Sequence, residues 1–287
     1  MRKFISISLI IFSGRCLFAQ NNTSPVFLNH VYFVIDSDSY RHIFDSAFLK
    51  QIGTTSENKT TTTTSAWSGK YFYGRESYLE IFPPNGYPGA ATGNFGLGFM
   101  TFHQGDIDSV RKYWKAHSSD SMSVDTTTWV SSGGKKSPWF YSLSLYTRDT
   151  LMPAYTWIME NTPEDLKGVG FTGDEIKQPI SWQTYMEKLS GKKFTKAFNR
   201  ITAVEMIAGD SVYRYLTRSF LHFGLKEKHH QFYNDYISIR CIKGNVSSAQ
   251  IKKITIELDK SFDERTLTLN KHLTLHIKGK MASFNFN

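Results

Sequence analysis

The sequence predicts an α+β fold built from repeated strand–helix–strand–strand–strand units. Three observations carry this. Short apolar runs with two-residue alternation are numerous, as strands require. Segments with apolar residues at i, i+3, i+4 and i+7 stand between some of them, as helices lying on a sheet require. The order of elements over residues 26–83 recurs over residues 95–160, so a supersecondary repeat takes precedence over any single motif.

The first unit opens on Leu28-Asn29-His30-Val31-Tyr32-Phe33-Val34-Ile35-Asp36, an apolar strand carrying one histidine. Side chains alternate along a strand, so His30, Tyr32 and Val34 share one face and Val31, Phe33 and Ile35 the other. Asp36, Ser37 and Asp38 offer helix caps, and Tyr40, Ile43, Phe44, Ala47 and Phe48 recur with helical spacing. The Thr-rich residues 54–65 predict an edge strand, because threonine suits a pleated surface. Strands follow at Trp67 to Tyr73 and Ser77 to Phe82, and Pro83-Pro84-Asn85-Gly86 ends the unit. In the second unit the spacing predicts strands over 95–102, 124–131, 139–146 and 154–160, and a helix over 106–117. Residues 161–200 break the pattern. Thr162-Pro163 starts a helix with proline in its first turn, Ser181 to Leu189 reads as a second short helix, and the segment reads as a surface connector. Residues 201–287 suggest a third unit, with a helix carrying Val212, Tyr215, Leu216, Phe220 and Phe223 and strands over 236–242, 251–258, 266–277 and 281–286.

The chain of 287 residues suits one large domain or two ordinary ones, and its 40% hydrophobic and 15% aromatic content marks a folded protein. Arg2 and Lys3 precede an apolar run from Phe4 to Phe12. Leu17-Phe18-Ala19 then supplies a small residue before a cut ahead of Gln20. Residues 1–19 therefore read as a signal peptide, too short for a permanent span. The expectation is an exported protein, periplasmic or secreted. Losing Arg2, Lys3 and Arg15 lowers Lys+Arg from 34 to 31 against 25 Asp+Glu, a net charge of about +6. Those charges are scattered in short pairs such as Lys135-Lys136 and Lys192-Lys193, which argues against a nucleic-acid surface. No second apolar run reaches membrane length. Of two cysteines only Cys241 would remain, which excludes an intramolecular disulfide and suits an inert core thiol.

Tyr78-Leu79-Glu80-Ile81-Phe82 places one carboxylate in an apolar strand, with Tyr78, Glu80 and Phe82 on one face. If the ligand-bearing faces of the two strands line one cleft, His30 and Glu80 meet there. Each has a plainer reading: His30 as a buried histidine satisfied by a backbone carbonyl, Glu80 as a carboxylate on the solvent face of a sheet. His222, His229 and His230 stand near Lys226, Glu227 and Lys228 and read as solvated, and His272 and His276 have no acid close in sequence. Gly96-Leu97-Gly98 lacks the spacing of a dinucleotide-binding loop, and no serine sits in a nucleophile elbow. Trp67, Tyr71, Tyr73, Trp139, Tyr141, Tyr155 and Trp157 read first as core, with some free to line a cleft and stack a planar ligand.

The His30 strand followed by a helix, closed by the Glu80 strand, resembles the vicinal oxygen chelate superfamily of glyoxalases, extradiol dioxygenases and bleomycin-resistance proteins. Within it the likeness is to uncharacterised bacterial glyoxalase-like proteins. It covers residues 26–160 and, more loosely, 201–287. The resemblance implies paired βαβββ modules (26–83 and 95–160), a connector over 161–200 and a third such module over 201–287. It also implies mixed sheets that curl around a cleft, with helices on the outer face. It implies a divalent metal there (Zn, Fe, Mn or Ni) held by His30, Glu80 and Glu160, with Glu80 doubling as a proton carrier. The chemistry would be Lewis-acid activation of a small oxygenated molecule, as in an isomerase, lyase or dioxygenase. Where the second module would bring a histidine, this chain has Gly98. A binding module that sequesters a small molecule or carbohydrate without the full metal set is the alternative. An odd third module would cap the cleft or pair across a homodimer.

Overall fold

A computed structural model describes residues 26–149, 152–246 and 248–287. The expected signal peptide lies outside the described residues. The chain runs β1 (Val26–Val34), α1 (Ser37–His42), α2 (Ala47–Ile52), β2 (Thr54–Thr61), β3 (Ala66–Tyr73) and β4 (Tyr78–Phe82). The second unit is β5 (Phe95–Thr101), α3 (Asp106–His117), β6 (Met122–Val130), β7 (Lys136–Leu145) and β8 (Ala154–Asn161). Three short helices follow: α4 (Pro163–Val169), α5 (Gly173–Ile176) and α6 (Trp182–Ser190). The last part is β9 (Phe198–Ala208), α7 (Asp210–His222), β10 (Lys226–Lys228), β11 (Gln231–Tyr233), β12 (Ser238–Lys243), β13 (Ala249–Asn270) and β14 (Leu273–Phe286).

The fold is α+β, with two mixed sheets. The larger has the order β2-β3-β4-β1-β5-β8-β7-β6. Each unit contributes four strands in mirrored order, with β1 parallel to β4, β5 parallel to β8, and β1 joined antiparallel to β5 at the centre. Accumulated strand twist curls this sheet into a half-barrel. Its two edges meet at one end, where Thr62 bridges Trp129 and the Thr63 amide donates to the Thr128 carbonyl at 3.1 Å.

The smaller sheet has the order β10-β11-β12-β9-β13-β14. β9-α7-β10-β11-β12 repeats the earlier plan, with β9 parallel to β12. The antiparallel hairpin β13–β14 takes the place in which a partner unit would join. The strand expected over 236–242 is β12, and the short strands β10 and β11 before it carry no alternation that announces them. Between β10 and β11, His229 and His230 form the two-residue turn with φ of 51° and 63°, so these histidines serve the hairpin geometry. The polar residues 259–265 also hide strand: β13 crosses them as an exposed stretch of ladder, and Leu267, Leu273 and Leu275 beyond it return to the core.

One core joins both sheets. Phe72 stacks on Phe198 with centroids 5.1 Å apart, Phe33 meets Phe286 at 5.1 Å, and Trp114 of α3 is fully buried. Burying several such rings is the main favourable term of the fold. Backbone ties fix the third unit to the first, with Glu76 N–H donating to Asn199 C=O at 2.8 Å and Ile201 N–H to Ser77 Oγ at 2.6 Å. Where helical spacing over 40–48 suggests one helix, there are two. Ser46 interrupts the run by capping α2 through the Leu49 amide. Cys241 is buried and desolvation pushes its thiol up to about 12, as an inert core position requires.

Candidate functional site

His30 and Glu80 do come together. β1 and β4 are parallel neighbours with Tyr32 opposite Glu80, so both side chains project from the concave face of the half-barrel. His30 Nε2 stands 3.9 Å from Glu80 Oε2, beyond hydrogen-bond reach. Nδ1 lies 3.0 Å from Asn29 Oδ1. This contact holds the imidazole with its Nε2 towards Glu80. Tyr78 stacks on the imidazole at 4.7 Å and Trp157 meets it edge-on at 5.3 Å. Tyr32, Trp67, Tyr71, Tyr73 and Phe82 extend this aromatic surface around Glu80.

Gly98 has a different role from the one the resemblance suggests. It pairs with His30 across β1 and β5, and a Cβ at Gly98 would lie 2.3 Å from His30 Cε1. Gly96 does the same for Tyr32, at 2.2 Å from Cε1. The alternating glycines clear a floor on which the two rings of β1 lie, a common reason for glycine inside a strand. A histidine at position 98 would occupy the space His30 already fills.

Glu160 is not part of this constellation. Trp157 shares the concave face with Gly98, and Glu160, three residues later, points to the opposite face. There it accepts from Thr101 Oγ1 at 3.0 Å, the Gly105 amide at 2.8 Å and the Ile107 amide at 2.9 Å. Gly105, the N-cap of α3, offers no side-chain cap of its own. Glu160 supplies one from β8 and meets the helix dipole with a negative charge. Its expected role as a third metal ligand is thereby corrected to a tertiary helix cap.

The connector is more than a surface tether. Leu166, Phe171, Ile176 and Tyr185 form a small core of their own, and Trp182 at the start of α6 stacks on Tyr78 at 4.7 Å. The stack Trp182–Tyr78–His30 therefore covers one side of the concave face. The spacing of α6 exposed no sign of this, since one tryptophan at a helix start carries no periodic signal. Among the other histidines, His222 stacks on Trp114 at 4.3 Å and reaches Asp120 Oδ2 at 2.8 Å. It fastens α7 to the second unit.

Burial sets the electrostatics. Desolvation raises Glu80 from 4.5 to about 7, opposed only by hydrogen bonds from Tyr71 and Trp67. Desolvation lowers His30 from 6.5 to about 3, so the pair does not form an ion pair near neutrality. Lys59 and Lys70 fall on the other face of β2 and β3, where Lys70 donates to the Tyr40 and Arg41 carbonyls. Folded Glu80 retains a proton that the unfolded chain releases. The stability this gives is complete below about pH 4.5 and is lost as pH rises through about 7, a change of about 3 kcal/mol. His30 acts in the other direction: its contribution is complete above pH 6.5 and is lost as pH falls towards about 3. Glu80→Gln removes the first effect alone. Urea titrations at a series of pH values should show the variant gaining about 3 kcal/mol on the wild type between about pH 4.5 and pH 7. A difference that stays constant with pH would refute the assignment.

The divalent metal implied by the resemblance is not matched by the donors present. Catalytic zinc sites take three protein ligands. Here two donors face each other, 3.9 Å apart. Among the described residues no group of three or more His, Cys, Asp or Glu side chains is placed to share a cation.

These features define an α+β protein of paired and repeated βαβββ units, with an aromatic concave face enclosing one buried carboxylate. The chain belongs to the Family of unknown function (DUF5829), which it matches over residues 28–286. No curated protein matches it. Among the described residues no helix is long and apolar enough to cross a membrane.

Proposed function

We propose that this is an exported binding module of the vicinal oxygen chelate type that holds a neutral, hydroxyl-rich ring, such as a saccharide unit, on its concave face. The observation that carries this reading is the lining. Aromatic side chains of Trp67, Tyr71 and Trp157 surround Glu80. Ser56 and Thr60 of β2 stand opposite Tyr71 and Trp67, and Ser144 of β7 bonds the Tyr155 hydroxyl at 2.6 Å. Aromatic faces take the apolar side of a sugar ring, while hydroxyls and a carboxyl group take its oxygens. No basic side chain appears among the influences on Glu80, which disfavours an acidic ligand. Export follows from the basic and apolar pattern of residues 1–19.

The test is a titration of the mature protein with neutral and uronic oligosaccharides, followed by tryptophan fluorescence and calorimetry. A neutral sugar should saturate the site, and Trp67→Ala or Trp157→Ala should weaken it by about tenfold. No saturable binding of any neutral sugar would sink the proposal. The metal-dependent enzyme reading rests on His30 and Glu80 alone. Stoichiometric uptake of Zn, Fe, Mn or Ni, abolished by His30→Ala and by Glu80→Gln, would favour it instead.

A further inference from the structure

The concave face continues beyond the aromatic cluster around Glu80. On the first unit's side it is largely filled, with Tyr71 6% and Glu80 7% exposed. On the second unit's side it is open. Leu143 and Leu145 of β7 point into the core, so alternation turns Ser142 and Phe140 to the concave face. Ser142 pairs with Asp125 of β6, and Phe140 with Thr127. Two residues further along β6, Trp129 takes the same face. Thr127, Phe140 and Ser142 are half-buried, Asp125 is exposed, and Trp129 is 42% exposed.

This strip joins the Glu80 side where the two sheet margins meet. Trp129 bridges Thr62, and Thr60, two residues before Thr62 on the same face, pairs with Trp67 of β3. At that end the strands therefore run β6-β2-β3, and two strand spacings, about 10 Å, separate the strand of Trp129 from that of Trp67. Both indoles belong to one surface, and Trp67 reaches Glu80 through a side-chain hydrogen bond. The polar groups of the strip suit hydroxyls. Asp125 accepts from the Thr126 amide at 2.7 Å through Oδ1, and Thr127 stands between Asp125 and Trp129 on the same face. Lys136 of β7 pairs with Val130, which places it on the opposite face from Trp129. The strip thus adds a second carboxyl group to the concave face and no basic group from β6 or β7, a charge pattern that favours a neutral ligand over an acidic one.

We propose that Trp129, Thr127 and Asp125 form a second subsite that continues the Glu80 site across the β2–β6 junction, so that the ligand is a neutral oligosaccharide and not a single sugar. One unit stacks on the Trp129 indole, and hydroxyls of the chain bond Thr127 and donate to Asp125. The inference rests on the saccharide reading of the concave face and assigns that ligand a length and a direction, from Trp67 past Thr62 and along β6.

The experiment titrates the mature protein by calorimetry with glucose and with three of its trisaccharides, maltotriose, cellotriose and laminaritriose. At least one trisaccharide should bind about tenfold more tightly than glucose. Trp129 is exposed, so Trp129→Ala folds. It should remove that advantage and leave glucose affinity unchanged, while Trp129→Phe restores part of it. Asp125→Ala should weaken the trisaccharide several-fold and spare glucose. Trp157→Ala, on the Glu80 side, should weaken both probes. Equal affinity for glucose and the trisaccharides, or trisaccharide affinity unchanged in Trp129→Ala and Asp125→Ala, would overturn the second subsite and leave the saccharide reading standing. Failure of all four sugars to bind the wild type would overturn both. Light scattering gives a further check: a dimer that Trp129→Ala dissociates would show that a second copy covers the indole, which also overturns the subsite.

Discussion

Glu160→Ala should lower the unfolding free energy by about 3–5 kcal/mol, the largest effect expected from one substitution in the second unit. The carboxylate accepts three hydrogen bonds in a setting where its side chain is 3% exposed. Removing it strands the Thr101 hydroxyl and two amides at the start of α3, and each buried orphan costs about 1–3 kcal/mol. It also removes an anion from the positive end of a helix. α3 carries Ile107, Val110 and Trp114 into the core, so local loosening is coupled to packing. Urea unfolding of the mature protein measures the loss, and hydrogen exchange should show faster opening at Gly105 and Ile107 than at the helix end. A loss under about 1 kcal/mol would mean that water replaces the carboxylate without penalty.

The second large effect is a coupling. Gly98→Ala should destabilise by about 2–3 kcal/mol, because the new Cβ meets an imidazole that has no room to retreat. Tyr78 and Trp157 hold that ring on either side. His30→Ala alone should cost a similar amount by leaving a cavity. In the double variant the added methyl enters the space the ring vacated, so the sum of the single effects should exceed the double by about 2 kcal/mol. Strict additivity would show that His30 and Gly98 do not share the floor of the concave face.

Much of this architecture is legible in the sequence because binary patterning is a strong local signal. The α3 periodicity of Ile107, Val110 and Trp114, the cap-and-proline start at Thr162-Pro163, and the alternation around His30 and Glu80 all find their elements. What pattern alone misses depends on contacts between distant residues. Glu160 ends a strand near the position that the resemblance implies for a ligand, yet its face is set by register with β7 and by an uncapped helix some fifty residues earlier. Gly98 reads as a lost ligand until His30 is placed against it. The signal was present in the spacing of Gly96 and Gly98, since two glycines on one face of a strand mark a close approach. Trp182 acquires meaning only when the connector folds back over Tyr78. One cavity is lined by residues from Phe27 to Tyr236, and no local window contains it.

The meeting of Thr62 with Trp129 has a consequence for self-association. β2 and β6 are Thr-rich strands of low net charge, and as free edges they would offer unpaired amides and carbonyls to any passing chain. By turning these two margins towards each other at one end, the protein withholds part of that template from its neighbours. In the smaller sheet the margin β14 carries Lys278 and Lys280, and β10 reads Lys-Glu-Lys, so charge guards those borders instead. The curled sheet thus resists polymerisation by geometry, and the smaller one by electrostatic repulsion.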